Sequence, residues 1–272
     1  MLITRVITAL VLLGILLPIL FLDSFPAVLL VATVFFAAAA WESARLFGLG
    51  RPLLVAACWT LLFAVILYQG VVDKATLLFG FCVAIWIVRL VPLLKAGLPA
   101  LGKPGNLLLS GVYGIAILGC FIAIVALFRH SPLYLLSVMA IVWIADIGAY
   151  FAGKAFGKRK LAPSISPGKS WEGALGGWLA VLVAAAVVIV SWPAADTFAA
   201  RLHQAWGWTG VLGILSLIVA ASIIGDLFES QLKRRAGMKD SSNLLPGHGG
   251  VLDRIDSLIP VLPLAVLSGS WL

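Results

Sequence analysis

Asp226, Glu229 and Lys233 follow one another at intervals of three and four residues in ASIIGDLFESQLKRR. That spacing puts them on one face of a helix, with Ser222 on the same stripe. Asp253 and Asp256 are again three apart, at the head of the last apolar run, where a helix amino terminus favours anions. Carboxylates of one helix facing those of another make a hard, oxygen-rich site, suited to Mg²⁺ that keeps waters and shares phosphate oxygens. Plainer readings stand beside this one. Asp226 ends the uncharged stretch 211–225 and could be a buried carboxylate paired with Lys or Arg, and Asp253 and Asp256 could be helix-capping acids.

Between these helices lies PGHGG, 246–250. Its glycines free backbone N–H groups to turn toward an anion, and His248 could donate to a phosphate, move a proton, or simply hydrogen-bond its own loop. A second charged block, DIGAYFAGKAFGKRKLAPSISPGKSWEGALGG, runs over 146–177. Lys169 and Ser170 can bind phosphate by charge and hydroxyl, and Glu172 can accept or ligate. Lys158, Arg159 and Lys160 read equally well as a patch attracted to anionic lipid. The inventory is that of a Mg²⁺-dependent reaction on a phosphate-bearing substrate, with a lipid as partner.

The elements that must carry these residues are membrane helices. The 272 residues are 62% hydrophobic and 11% charged, with a mean hydropathy of +1.14, far from the composition of a soluble domain. Apolar runs of bilayer length recur from end to end and predict an all-α, polytopic chain of about nine spans: 6–22, 25–47, 53–70, 75–94, 107–128, 133–151, 174–192, 211–232 and 255–272. The first has the basic start of a signal peptide but lacks a small-x-small cleavage site, and reads as a retained span. The whole chain reads as one integral membrane domain, with amino-terminal spans over 1–128 and a catalytic half with two charged loops over 129–272.

Most of the 19 basic residues fall at the amino end and after the second, fourth, sixth and eighth spans. The positive-inside rule then puts the amino terminus and both charged loops in the cytoplasm and the carboxyl terminus outside. The net charge of +8 is explained by that distribution, without nucleic acid. Acids contribute little to topology and are costly at depth, so their presence beside these loops points to a site on the cytoplasmic face. Cys58, Cys82 and Cys120 lie in apolar runs with no ligand spacing and read as small core residues.

The stretch SQLKRRAGMKDSSNLLPGHGGVLDRID, 230–256, resembles the signature of phosphatidate cytidylyltransferases, also called CDP-diacylglycerol synthases. Ser230, Lys233, Arg234, Lys239, Asp240, Pro246, His248, Gly249, Gly250, Asp253, Arg254 and Asp256 fill its positions, and the block from Asp146 resembles the family's second shared segment. The resemblance covers the carboxyl-terminal half; the first four spans match only in being apolar. It implies transfer of CMP from CTP to phosphatidic acid, an all-helical homodimer, Mg²⁺, and a second, monovalent cation such as K⁺. It further implies metal at Asp226, Asp253 and Asp256, with Glu229 and Asp146 as further candidates. Lys169, Lys233, Lys239, Arg234 and Arg254 would neutralise phosphates, His248 with the Gly249 and Gly250 backbone would hold phosphate oxygens, and Ser170 and Ser230 would assist. The short amino end fits a bacterial inner membrane.

Two rivals remain. A CTP-dependent polyprenol or dolichol kinase would transfer the terminal phosphoryl group instead. A transporter would place charged or broken helices near the midplane of both halves, whereas Glu42 is the one acid away from loops in the first four spans.

Overall fold

Proline sets where several helices begin. Its missing N–H costs nothing in a first turn, and it occupies that turn in α1 (Phe25–Leu46), α2 (Pro52–Tyr68), α4 (Pro104–His130) and α5 (Pro132–Phe156). Side-chain caps start the others: Ser170 Oγ accepts from the Gly173 N–H to open α6 (Trp171–Ser191), and Thr197 Oγ1 accepts from Ala200 to open α7 (Phe198–Arg235). The computed structural model describes residues 24–269 apart from 71, 73 and 74, together with Gly14, Pro18 and Ile19. The expected first span, 6–22, lies outside the described residues.

Two helices are interrupted for local reasons. In α3 (Thr76–Ala96) the turn Trp86–Leu90 widens into a π-helix just before Pro92, whose ring displaces the carbonyl four residues back. In α7 the chain breaks at Gly207, at φ 62° and ψ −165°, which only glycine adopts without strain. The remaining elements are a small antiparallel hairpin, β1 (Lys160–Ala162) with β2 (Ser166–Ser170), and two closing helices, α8 (Leu252–Ile255) and α9 (Leu258–Ser268).

Helix α4 is the axis of the molecule, buried along most of its length. The α1–α2 hairpin packs against it, and Phe36, Phe63 and Phe121 meet there with ring centroids 4.6 to 6.2 Å apart. Helix α9 inserts between α3, α4 and α7. Leu53, Leu77, Val88 and Val190 project outward, the arrangement expected where the solvent is lipid.

The all-α class holds, with the small hairpin as the one sheet among the described residues. Six of their helices are long and apolar enough to cross a membrane: α1, α3, α4, α5, α6 and α7. The expected third span is the 17-residue α2. The expected last span departs further. Over the described residues it is the short α8 and the 11-residue α9, joined through Asp256 and Ser257 with helical backbone angles, and α9 is buried in the bundle rather than facing lipid. Pro260 offers no N–H to the Asp256 carbonyl, so the hydrogen-bond ladder lapses there while the chain keeps its course.

Helices α5 and α6 make the most extensive contact in the fold, through small residues on both. Gly148 lies against Ala180, and a Cβ at Gly177 would meet the backbone carbonyl of Ala145, which cannot move aside. Gly177→Val should therefore spread the pair, at a cost of about 1–3 kcal/mol. Thermal unfolding in detergent should show a lower midpoint than wild type, whereas Gly213→Ala, which meets nothing within 4 Å, should not move it. An unchanged midpoint for Gly177→Val would refute the close α5–α6 contact.

Candidate active site

One end of the bundle gathers nearly all the charge discussed above. The carboxyl ends of α1, α5 and α7, the β hairpin, the start of α6 and the turn before α8 meet there. A cavity of about 630 Å³ opens between them. Asp146 and Lys154 line it from α5, Lys169 and Ser170 from β2, Asp226 from α7, and Asp253, Arg254 and Asp256 from the last helical segment. Its deeper wall is apolar or small: Ala145, Ala174, Gly177, Val219 and Ile223.

The hairpin places Lys169. Pairing of Lys160 with Ser170 and of Ala162 with Ser166 folds the strand back over the start of α6. Glu172 fastens the polybasic segment beneath it, accepting from the backbone N–H groups of Lys158 and Arg159 at 3.2 Å. Lys169 Nζ then reaches Asp226 Oδ2 at 2.5 Å, with both side chains partly exposed to the cavity. The other Asp226 oxygen accepts from Ser230 Oγ at 3.2 Å, so Ser230 orients an acid. Ser170 is buried, and its hydroxyl oxygen caps α6.

Lys233 lies between two carboxylates, 2.5 Å from Glu229 Oε2 and 2.6 Å from Asp253 Oδ1. Glu229 is fully buried and not in the cavity wall. The second oxygen of Asp253 accepts from the Ser241 and Gly250 N–H groups, each at 2.8 Å, and lies 2.8 Å from Ser241 Oγ. Burial pushes the Asp253 carboxyl up, but the Lys233 ammonium and the Gly250 and Ser241 N–H groups outweigh it and hold it below the usual carboxylate range. Asp253 is thus held on both oxygens by groups of the protein itself.

Asp256 Oδ1 accepts from the Ser257 N–H at 2.7 Å. Asp146, Asp226 and Asp256 line one space, with Lys169 as the near cation, and offer the hard oxygen donors that a divalent ion takes. Among the described residues no three Asp, Glu, His or Cys side chains are grouped so as to hold a metal ion by themselves. Mg²⁺ does not require one, since it usually takes one or two carboxylates and completes its shell with water and substrate phosphates.

The expected residues therefore separate into two groups. Asp146, Lys169, Ser170, Asp226, Asp253, Arg254 and Asp256 share the cavity wall. Glu229, Ser230 and Lys233 stand behind it, and Arg234 and Lys239 are exposed and outside its lining. The PGHGG turn serves its own fold first. Leu245 N donates to Gly249 O, and His248 presents its carbonyl to Arg254 Nε and Nη2 at 3.1 and 2.7 Å. The Gly250 N–H is directed to Asp253, not to the cavity.

Two residues escaped the reading of the sequence. Lys154, counted there only as a topological charge, lies in the cavity wall beside Tyr150, with Nζ 6.0 Å from the ring centre. Glu42 is completely buried and bonded to the turn before α8, although it precedes that turn by about two hundred residues. Its signal was its isolation as an acid within an apolar span. A separate apolar recess of about 220 Å³, lined by Phe36, Trp59 and Gly114 among others, contains no titratable group.

Comparison with known proteins adds an independent line. Proteins named phosphatidate cytidylyltransferase are similar to this chain in Haemophilus influenzae (52% identical over 134 residues, 49% of this chain and 44% of the relative). The same holds in Pseudomonas aeruginosa (53% over 140 residues, 50% and 48%) and in Staphylococcus aureus (45% over 131 residues, 48% and 46%). The chain spans about half the length of these curated relatives in the matched stretch. The model of the cytidylyltransferase family matches residues 3–270, almost from end to end, and the chain belongs to that family.

Proposed function

We propose that this membrane protein transfers CMP from CTP to phosphatidic acid, forming CDP-diacylglycerol and pyrophosphate. The observation that carries the reading is the two-faced cavity, apolar along Val219 and Ile223 and charged at Asp226, Lys169 and Asp256. Such a wall suits a substrate with an apolar body and a phosphate head, and the printed names of the relatives support the same substrates.

In this reaction a phosphate oxygen of the lipid attacks the α-phosphorus of CTP, and the bond from that phosphorus to the bridging β oxygen breaks. Pyrophosphate leaves with the bond's electron pair. The attacking oxygen is already anionic at neutral pH, so little general-base help is needed. The work is to bring two polyanions together and to stabilise charge on the departing group. Lys169, at the mouth of α6 where the helix amino terminus favours anions, would neutralise a phosphate, with Lys154 and Arg254 on the same wall. His248 would hold Arg254 through its carbonyl rather than touch phosphate itself.

Asp226 and Asp256, with Asp146 beside them, would hold Mg²⁺, which would draw charge from the phosphoryl oxygens when bound. Asp253 and Glu229 would serve by holding Lys233. The site would face the cytoplasm of a bacterial inner membrane, in agreement with the basic loops. The homodimer and a K⁺ ion rest on the family resemblance alone.

Purified protein given CTP, phosphatidic acid and Mg²⁺ should pass label from α-labelled CTP to lipid and label from γ-labelled CTP to pyrophosphate. Label from the γ position in lipid, with CDP released, would instead identify a lipid kinase. Asp226→Asn and Asp256→Asn should each lower turnover by roughly 10²–10³-fold in correctly inserted protein, the scale of losing one preorganised electrostatic partner. Near-normal rates in both would remove these acids from the metal site. Removing Mg²⁺ with a chelator should stop turnover, and restoring it should recover the rate.

A further inference from the structure

Glu42 lies near the carboxyl end of α1, within the half of the chain where the expected chemistry has no residue. It is fully buried, in a span whose one other charged residue is Arg45. A buried carboxylate persists only where hydrogen bonds replace its water, and here four donor groups surround it. Oε1 accepts from Ser242 Oγ at 2.5 Å and from the Val251 N–H at 3.0 Å. Oε2 accepts from the Leu252 N–H at 2.6 Å and lies 3.1 Å from Ser241 Oγ.

The two N–H groups stand at the start of the α8–α9 segment, where no intrahelical acceptor exists. Glu42 thus caps from a distant helix what a local Ser or Asp normally caps. The two hydroxyls tie down the other end of the same loop. Ser241 passes the constraint on: its N–H donates to Asp253, which holds Lys233, and its hydroxyl lies between the two carboxylates, 3.1 Å from Glu42 Oε2 and 2.8 Å from Asp253 Oδ2, with one proton to give to either. Arg45, one turn after Glu42, adds a contact to the Ser241 carbonyl at 3.4 Å.

Gly250 shows how tightly the carboxylate is received. A Cβ there would lie 2.6 Å from Glu42 Cδ and closer still to Oε1 and to Ser241 Oγ. The second glycine of the HGG turn is therefore required by the arrival of Glu42.

We infer that Glu42 is a positioning residue of the active site: it holds the 241–252 loop closed and so places Asp253 and Lys233 beside the cavity. What the site does rests on the proposed function; what holds it rests on this geometry alone. Glutamine makes a sharp probe. Each carboxylate oxygen receives one hydroxyl and one backbone N–H, and a hydroxyl can turn round to accept. A backbone N–H cannot, so in the Glu42→Gln variant either orientation of the side-chain amide sets its NH₂ against one of the two N–H groups.

In full-length protein, Glu42→Gln should lower turnover of CTP and phosphatidic acid roughly 10- to 100-fold, the range for losing a group that orients another. Amide exchange read by mass spectrometry should rise over 239–256 and remain at the wild-type level over α4 and α7. Glu42→Asp, which keeps two acceptor oxygens, should be more active and better protected than Glu42→Gln. Gly250→Ala should behave like Glu42→Gln, because it excludes the carboxylate. Wild-type exchange over 239–256 in Glu42→Gln, or turnover within about twofold of wild type, would overturn the inference. So would exchange that rises equally through α4 and α7, which would make Glu42 a general support of the fold. A wild-type protein that forms no CDP-diacylglycerol would overturn the proposed function and leave the exchange measurement to decide the role of Glu42.

Discussion

The structure depends most on the ammonium of Lys233 and the two carboxylates that share it. Glu229 is fully buried and lies one helical turn before Lys233, while Asp253 comes from the segment beyond the loop. Buried ions persist only when paired and hydrogen-bonded, and removing one partner typically costs about 3–5 kcal/mol because the other charge is left uncompensated. That requirement locks the end of α7 to the start of α8. Two acids suited by type to metal both contact one lysine in this arrangement.

From this pair a continuous set of polar contacts crosses the molecule. Lys233 meets Asp253, Asp253 meets Ser241, and Ser241 meets Glu42 in α1. Further contacts tie the same end together. Arg235 donates to the Pro99 carbonyl and Gln231 to that of Leu93, and Asn106 donates to the carbonyl of Phe47. Each of these three side chains thus directs a donor to a backbone carbonyl of another helix or loop. The amino-terminal helices therefore do more than anchor the chain, since one of them caps the loop beside the cavity.

On the other side of the cavity the determinants are steric. Gly148, Gly173, Gly176 and Gly177 let α5 and α6 approach until small side chains meet backbone. That approach brings Asp146 and the hairpin lysine to the same opening as Asp226. The cavity keeps an apolar wall because α7 presents Val219 and Ile223 one to two turns before its first acid.

Hydropathy alone determined that this is an all-α membrane protein, and motif spacing alone singled out two charged blocks as the candidates for its chemistry. Both follow from local physics: a span must be apolar over its length, and a helix aligns residues three and four apart. The family was legible for the same reason, since it is carried by residues at fixed separations. What tertiary structure decided is which side chains face the cavity. Spacing places Asp226 and Glu229 on one face, yet a ring of packed helices buries the second and opens the first. It also decided that Gly250 accommodates a carboxylate and that His248 offers a carbonyl. Glu42 marks the limit most clearly. Its isolation in an apolar span announces that something must compensate its charge, but the partners lie about two hundred residues away, and only the folded chain brings them within hydrogen-bond reach.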